Sequence, residues 1–161
     1  AICILRSGIT SSIKAIETDG GNLVEEGFAP QSVVLHLEDD VDVSRGDIIV
    51  PNSNLPQTAQ ELEVLLCWMD NKPLVAGNKY LLQINSTRVR SIIKDIAFRV
   101  DVNSLEKKEA PAQAELNDIV KVVIKTAQPI AYDSYKDLRV NGGAILIDET
   151  SNVTVGACMI Q

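Results

Sequence analysis

The side chains best spaced for chemistry lie in residues 38–50, EDDVDVSRGDIIV. Asp40, Asp42 and Ser44 occupy alternate positions, as the oxygen ligands of a helix-flanked calcium loop do. Counted from Asp40, the sixth position of such a loop is Arg45, with Gly46 one place late. The twelfth, where a bidentate glutamate belongs, is Pro51. A solvated acidic turn is the expectation. Arg45-Gly46-Asp47 matches an adhesion tripeptide, a signal short enough to recur in unrelated chains, and it reads more simply as a turn before Ile48-Ile49-Val50. His36 is the one histidine, sharing a face with Val34 and opposite Val33, Leu35 and Leu37. Without a second histidine it builds no histidine-based metal centre, and no serine or cysteine is recognisably paired to it, so a structural role is expected.

The remaining reactive groups are equally bare. Cys3, Cys67 and Cys158 are far apart, show no CxxC spacing, and sit among aliphatic neighbours, as in LEVLLCWM and TVGACMI. Buried reduced thiols are expected. Gly20-Gly21 and Gly142-Gly143 lack the lysine and Ser/Thr of a phosphate loop, and Asn71-Lys72-Pro73-Leu74 has leucine where a guanine-reading aspartate would stand. The sequons at Asn85 and Asn152 carry no sugar outside a secretory context. No catalytic, cofactor-binding or metal-binding residue is assigned; the residues describe a binding or positioning module.

What would position such a module is β-structure. The 161 residues are 45% hydrophobic, enough for a globular interior. No apolar run approaches the roughly 18–20 residues needed to span a bilayer, and no basic-then-apolar leader is visible. A cytoplasmic protein with no membrane contact is therefore expected. The net charge of −7 is uneven. Residues 1–55 hold three basic and nine acidic side chains, whereas residues 56–161 hold 12 and 13. Neither part is a cationic platform, which disfavours nucleic acid, and the asymmetry suggests a boundary near residue 55.

Short β-branched segments bounded by turn residues run the length of the chain. Residues 1–5 and 9–18 read as a hairpin around Arg6-Ser7-Gly8, followed by a turn at residues 19–22 and strands at 32–37 and 47–50. Residues 51–56, PNSNLP, read as a linker. Strands are then expected at 62–69, 79–84, 87–100, 119–126, 144–149 and 154–160. In residues 119–126 Val120, Val122 and Ile124 share one face and Lys121 and Lys125 the other, the period of a half-buried strand. Residues 105–115, interrupted by Pro111, read as a charged loop. Trp68 is expected in the core of the domain formed by residues 56–161.

Several stretches carry a resemblance. VLHLEDDVDVSRGDIIV, residues 34–50, resembles the end of the second domain in the GTPase subunit of bacterial sulfate adenylyltransferase, a branch of the translation-factor superfamily. Residues 4–11, ILRSGITS, resemble its LPSG-x-x-S hairpin. LLCWM at 65–69, KPL at 72–74 and GNKY at 77–80 resemble the start of its third domain. FRVDVNSL at 98–105 is similar to its R-x-D-x-N-x-L segment. LNDI at 116–119, ILID at 145–148 and SNVTVGA at 151–157 complete the similarity.

The resemblance implies an all-β protein of two consecutive Greek-key barrels, like those of elongation factor Tu. Residues 1–55 would be the end of the second domain, incomplete at its N-terminus, and residues 56–161 the third. It implies a non-catalytic part of a subunit that couples GTP hydrolysis to formation of adenosine 5′-phosphosulfate from ATP and sulfate. GTP and magnesium would belong to an N-terminal domain outside this chain. The partners implied are that GTPase domain and a small catalytic subunit. The open first barrel is expected to cover its edge by pairing with a second copy or by rearranged ends. Arg88 and Arg90, on one face of a strand, are the candidates for contacting a partner. The rival readings are a translation-type GTPase binding tRNA or protein, and a secreted adhesion or carbohydrate module.

Overall fold

Alternation between β-branched and polar side chains becomes strand along most of the sequence. The computed structural model describes all 161 residues and divides them into two compact units, Ala1–Leu55 and Pro56–Gln161.

The first unit holds β1 (Ile2–Ile4), β2 (Ile9–Ser11), β3 (Ile13–Thr18), β4 (Asn22–Val24), β5 (Val34–Leu37) and β6 (Ile49–Pro51). They form two separate three-stranded antiparallel sheets, ordered β2-β1-β6 and β4-β3-β5. The expected single strand over 9–18 is thus broken at Ser12 into members of different sheets. Gly8 closes the β1–β2 turn at φ +72°, and its N–H donates to the Ile4 carbonyl at 2.8 Å. Neither sheet closes on itself, and the outer edges of β2, β6, β4 and β5 carry no further strand.

The second unit begins with β7 (Gln57–Trp68), β8 (Leu74–Val75), β9 (Lys79–Ile84) and β10 (Thr87–Val100). It continues with β11 (Lys107–Lys108), β12 (Gln113–Ala114), β13 (Ile119–Tyr132), α1 (Arg139–Gly142), β14 (Gly143–Ile147) and β15 (Thr154–Ile160). Six strands in the order β10-β13-β7-β15-β14-β9 close a barrel, because β9 pairs back onto β10. Closure pairs the wall's two outer strands along Thr87–Ile92, and the end of β10 beyond them is left to β11. Register pairs Val120 with Leu66, Val122 with Val64 and Ile124 with Leu62, all essentially buried. Lys121 and Lys125 point outward, as their period requires.

Trp68 is fully buried; its Nε1–H donates to the Lys72 carbonyl at 2.8 Å, and its ring meets Tyr80 edge-on with centroids 5.5 Å apart. The strands β7 and β13 run longer than their sequence patterns suggest. Residues 105–115 are more ordered than a loop: β11 extends the edge of β10, and β12 pairs with β8. Helix α1, at four residues, is too short to leave a readable periodicity in the sequence.

Candidate functional site

The acidic stretch 38–50 stays exposed through Glu38, Asp39, Asp40 and Asp42, as a solvated turn does, and only its end at Asp47 folds in. Gly46 adopts φ +99°, the Asp47 N–H donates to the Ser44 carbonyl at 3.0 Å, and Asp47 Oδ2 accepts the Ser44 N–H at 2.8 Å. The Asp47 side chain is only 7% exposed, with Arg6 Nη1 at 3.7 Å from its other oxygen. A carboxylate folded into its own turn is not presented to an adhesion partner. Asp39 is likewise engaged, accepting the Ser11 hydroxyl at 2.7 Å. No three His, Cys, Asp or Glu side chains converge to hold a metal.

His36 is exposed rather than structural in the buried sense, with Nε2 at 2.9 Å from Glu17 Oε2 across the β3–β5 pair. Cys3 and Cys158 are buried; Cys67, half-buried, faces the outside of the barrel wall. Burial pushes the Cys158 thiol up to about 12, which leaves it unreactive as a nucleophile. A shallow groove of about 470 Å³ over β14 and β15 is lined by Cys67, Gln83, Tyr135, Ile145 and Met159, with no pair of groups suited to acid–base work.

Neither glycine pair fits a nucleotide phosphate. Gly20 and Gly21 make the β3–β4 hairpin turn at φ +82° and +79°. Gly142 ends α1 against Tyr135, where a Cβ would meet backbone at 2.4 Å. Neither pair opens a helix, so the anion-binding geometry of a phosphate loop is missing.

The segment around Asp101 is a turn. Asp101 Oδ1 accepts the N–H groups of Asn103 at 2.9 Å and Ser104 at 3.2 Å, Lys108 Nζ bonds to Oδ2, and Leu105 takes φ +59°. The Lys108 bond, followed by those two backbone donors, holds the Asp101 carboxyl well below the usual carboxylate range. Arg99 lies 3.6 Å from Asp118, tying the same segment to the start of β13.

Arg88 and Arg90 both stand on the outer face of β10 and are exposed. Arg88 Nε donates to Gln83 Oε1 at 2.6 Å; Arg90 reaches Glu149 at 3.0 Å and keeps 78% of its side chain exposed. Further along the same face Lys94 pairs with Glu61 at 2.7 Å. The Lys94 hydrogen bond and charge, with Lys125 contributing more weakly, hold the Glu61 carboxyl below its ordinary value. Lys79 on β9 and Lys125 on β13 flank Ile92 of β10 in register. Sequence spacing reveals Arg88 and Arg90 because they share one strand. Lys79 follows from the two-residue turn between β9 and β10, whereas Lys125 needs the long-range register of β10 on β13, which no local pattern encodes.

Residues 61–161 match the family described as GTP-eEF1A C-terminal domain-like. A bifunctional CysN/CysC enzyme of Rhodopirellula baltica is 41% identical over 99% of this chain and 24% of its own length. Sulfate adenylyltransferase subunit 1 of Aliarcobacter butzleri is 40% identical over 100% of this chain and 34% of its own length. The corresponding subunit of Sulfurovum sp. is 38% identical over 99% and 34%. The chain thus spans between about a quarter and a third of the length of these relatives. Among solved structures, Sup35 complexed with GMPPNP superposes with a TM-score of 0.87 over 99% of this chain and 39% of that one, at 16% identity, a likeness of fold.

Proposed function

Because the chain belongs to the GTP-eEF1A C-terminal domain-like family, we propose that it is the non-catalytic β-barrel region of a sulfate adenylyltransferase GTPase subunit. The observation that carries this reading is identity of 38–41% to that subunit and its CysN/CysC fusion across essentially the whole chain. In the proposed assignment residues 1–55 belong to the second domain and residues 56–161 form the third. GTP and magnesium are bound elsewhere in the larger protein, in keeping with glycine pairs here that serve turns and packing.

The subunit's task in this reading is coupling. Joining ATP and sulfate into adenosine 5′-phosphosulfate and pyrophosphate is strongly uphill, and GTP hydrolysis supplies the drive. A closed barrel without a reactive centre suits a rigid part that holds the GTPase domain and the small catalytic subunit in register through the nucleotide cycle. Arg88 and Arg90 are the proposed contact positions toward a partner. The compartment proposed is the cytoplasm; no helix of the chain is long and apolar enough to cross a membrane.

The test is competition. Added in excess to an assembled sulfate adenylyltransferase, the chain is expected to lower adenosine 5′-phosphosulfate formation by occupying the small subunit. By itself it is expected to hydrolyse no GTP. Undiminished product formation at saturating chain, or nucleotide turnover by the chain unaided, overturns the reading.

A further inference from the structure

Five of the twelve cations in residues 56–161 gather on one outer face of the barrel. Arg88, Arg90 and Lys94 project from alternate positions of β10, Lys79 from β9 and Lys125 from β13. Register fixes their arrangement: Ile92 pairs with Lys79 on one side and Lys125 on the other, while Arg90 and Lys94 lie two residues along β10 in either direction. A half-buried isoleucine is thereby ringed by four cations, with Arg88 beyond. Three carboxylates accompany them, Glu61, Asp95 and Glu149, of which Glu61 and Glu149 pair with Lys94 and Arg90. Lys79 and Arg88 form no ion pair, and Lys125 stands opposite Glu61 in register and acts on it only weakly, beyond ion-pair distance.

Concentrated positive charge on a chain of net −7 selects an anionic partner. An apolar centre with a charged rim is the layout of a protein interface, where a buried side chain supplies affinity and the surrounding charges supply on-rate and orientation. Nucleic acid is the poorer fit. Interspersed carboxylates would repel a continuous phosphate backbone, and no aromatic side chain stands among these cations to stack on a base.

We propose that the β9–β10–β13 face is a docking surface for an acidic face of a partner protein, with Ile92 at its centre and Lys79, Arg88, Arg90, Lys94 and Lys125 around it. The proposal rests on the sulfate adenylyltransferase reading and names its partner as the small catalytic subunit. It adds Lys79, Lys94, Lys125 and the apolar centre to the pair visible in the sequence.

Binding of the chain to immobilised small catalytic subunit, measured at low and high ionic strength, tests it. Arg88→Glu with Arg90→Glu, and separately Lys79→Glu with Lys125→Glu, are each expected to weaken binding about tenfold or more and to flatten the salt dependence of association. Lys136→Glu, in the loop before α1, is expected to change neither. Unaltered melting temperatures show that the exposed substitutions leave the fold intact. Wild-type binding that both double variants retain, with the same salt dependence, overturns this surface while leaving the functional reading standing. Failure of the wild-type chain to bind overturns both. Retention of RNA by the wild-type chain at low salt, abolished in both double variants, overturns the choice of a protein partner.

Discussion

Asp101 illustrates how one carboxylate organises a segment without performing chemistry. Its Oδ1 gathers two backbone N–H groups, its carbonyl accepts from Leu105 at 2.7 Å, and its N–H donates to Glu106 at 2.9 Å. The arrangement forces Leu105 to a positive φ that a leucine adopts only when its surroundings impose it. Lys108 completes the knot from β11, beside Lys107, whose Nζ lies 4.9 Å over the Phe98 ring. Since the folded-state carboxyl titrates below its usual 3.8, folding favours the ionised form. Its stabilisation is whole above pH 3.8 and drains away as pH falls through the lowered folded-state value. Amide exchange at Asn103 and Ser104 should therefore be slower in the native chain than in Asp101→Asn near neutral pH. The gap should narrow as the solution is acidified below the ordinary carboxylate range. A gap independent of pH would mean that the charge plays no part in the turn.

At the scale of elements, barrel closure depends on the hairpin between β9 and β10, where two residues, Asn85 and Ser86, turn the chain. Asn85 takes φ +50°, and its Nδ2 donates to Asn141 Oδ1 at 2.8 Å; Asn141 Nδ2 in turn donates to Asp133 Oδ2 at 2.7 Å. The turn and the segment around α1 are thereby locked together. Asn85→Gly keeps the permitted backbone and removes only the side-chain link, a loss of about 1 kcal/mol. Asn85→Val adds a β-branched residue in left-handed backbone, and the total loss should rise to roughly 2–4 kcal/mol. Urea unfolding of the two variants separates the terms; equal losses would show that backbone strain contributes nothing. Little of this was legible beforehand. The period-two faces of residues 119–126 and the burial of Trp68 follow from local pattern, and both stand. The pairings of β9 onto β14 and of β7 onto β15, and the break at Ser12, depend on contacts between distant segments, and a local window does not contain them. The cationic face was partly legible for the same reason: Arg88 and Arg90 share one strand and Lys79 lies across a two-residue hairpin from Ile92, whereas Lys125 reaches Ile92 only through the long-range β10–β13 ladder.

Across the whole molecule, the two units differ in how much interior they own. Twenty buried apolar residues form the core cluster of the second unit, from Leu62 to Ile160. In the first unit the buried apolar residues are Ile2, Cys3 and Ile4, all from β1. Its Leu23, Phe28 and Val34 are 70%, 68% and 56% exposed, so much of its apolar surface contributes nothing to internal stability. The closed wall of the second unit also protects its backbone hydrogen bonds, while β2, β4, β5 and β6 each keep an open edge. Opening free energy scales with buried apolar surface and with protected hydrogen bonds, so the first unit should open far more often than the second. Limited proteolysis of the chain is expected to consume residues within Ala1–Leu55 first and to leave a resistant product starting near Pro56. Hydrogen exchange should show the same ordering, with slow amides confined to β7, β9, β10, β13, β14 and β15. Cleavage that removes both units at one rate would show that they unfold as a single cooperative body, and the small interior of the first unit would then not be what limits its stability.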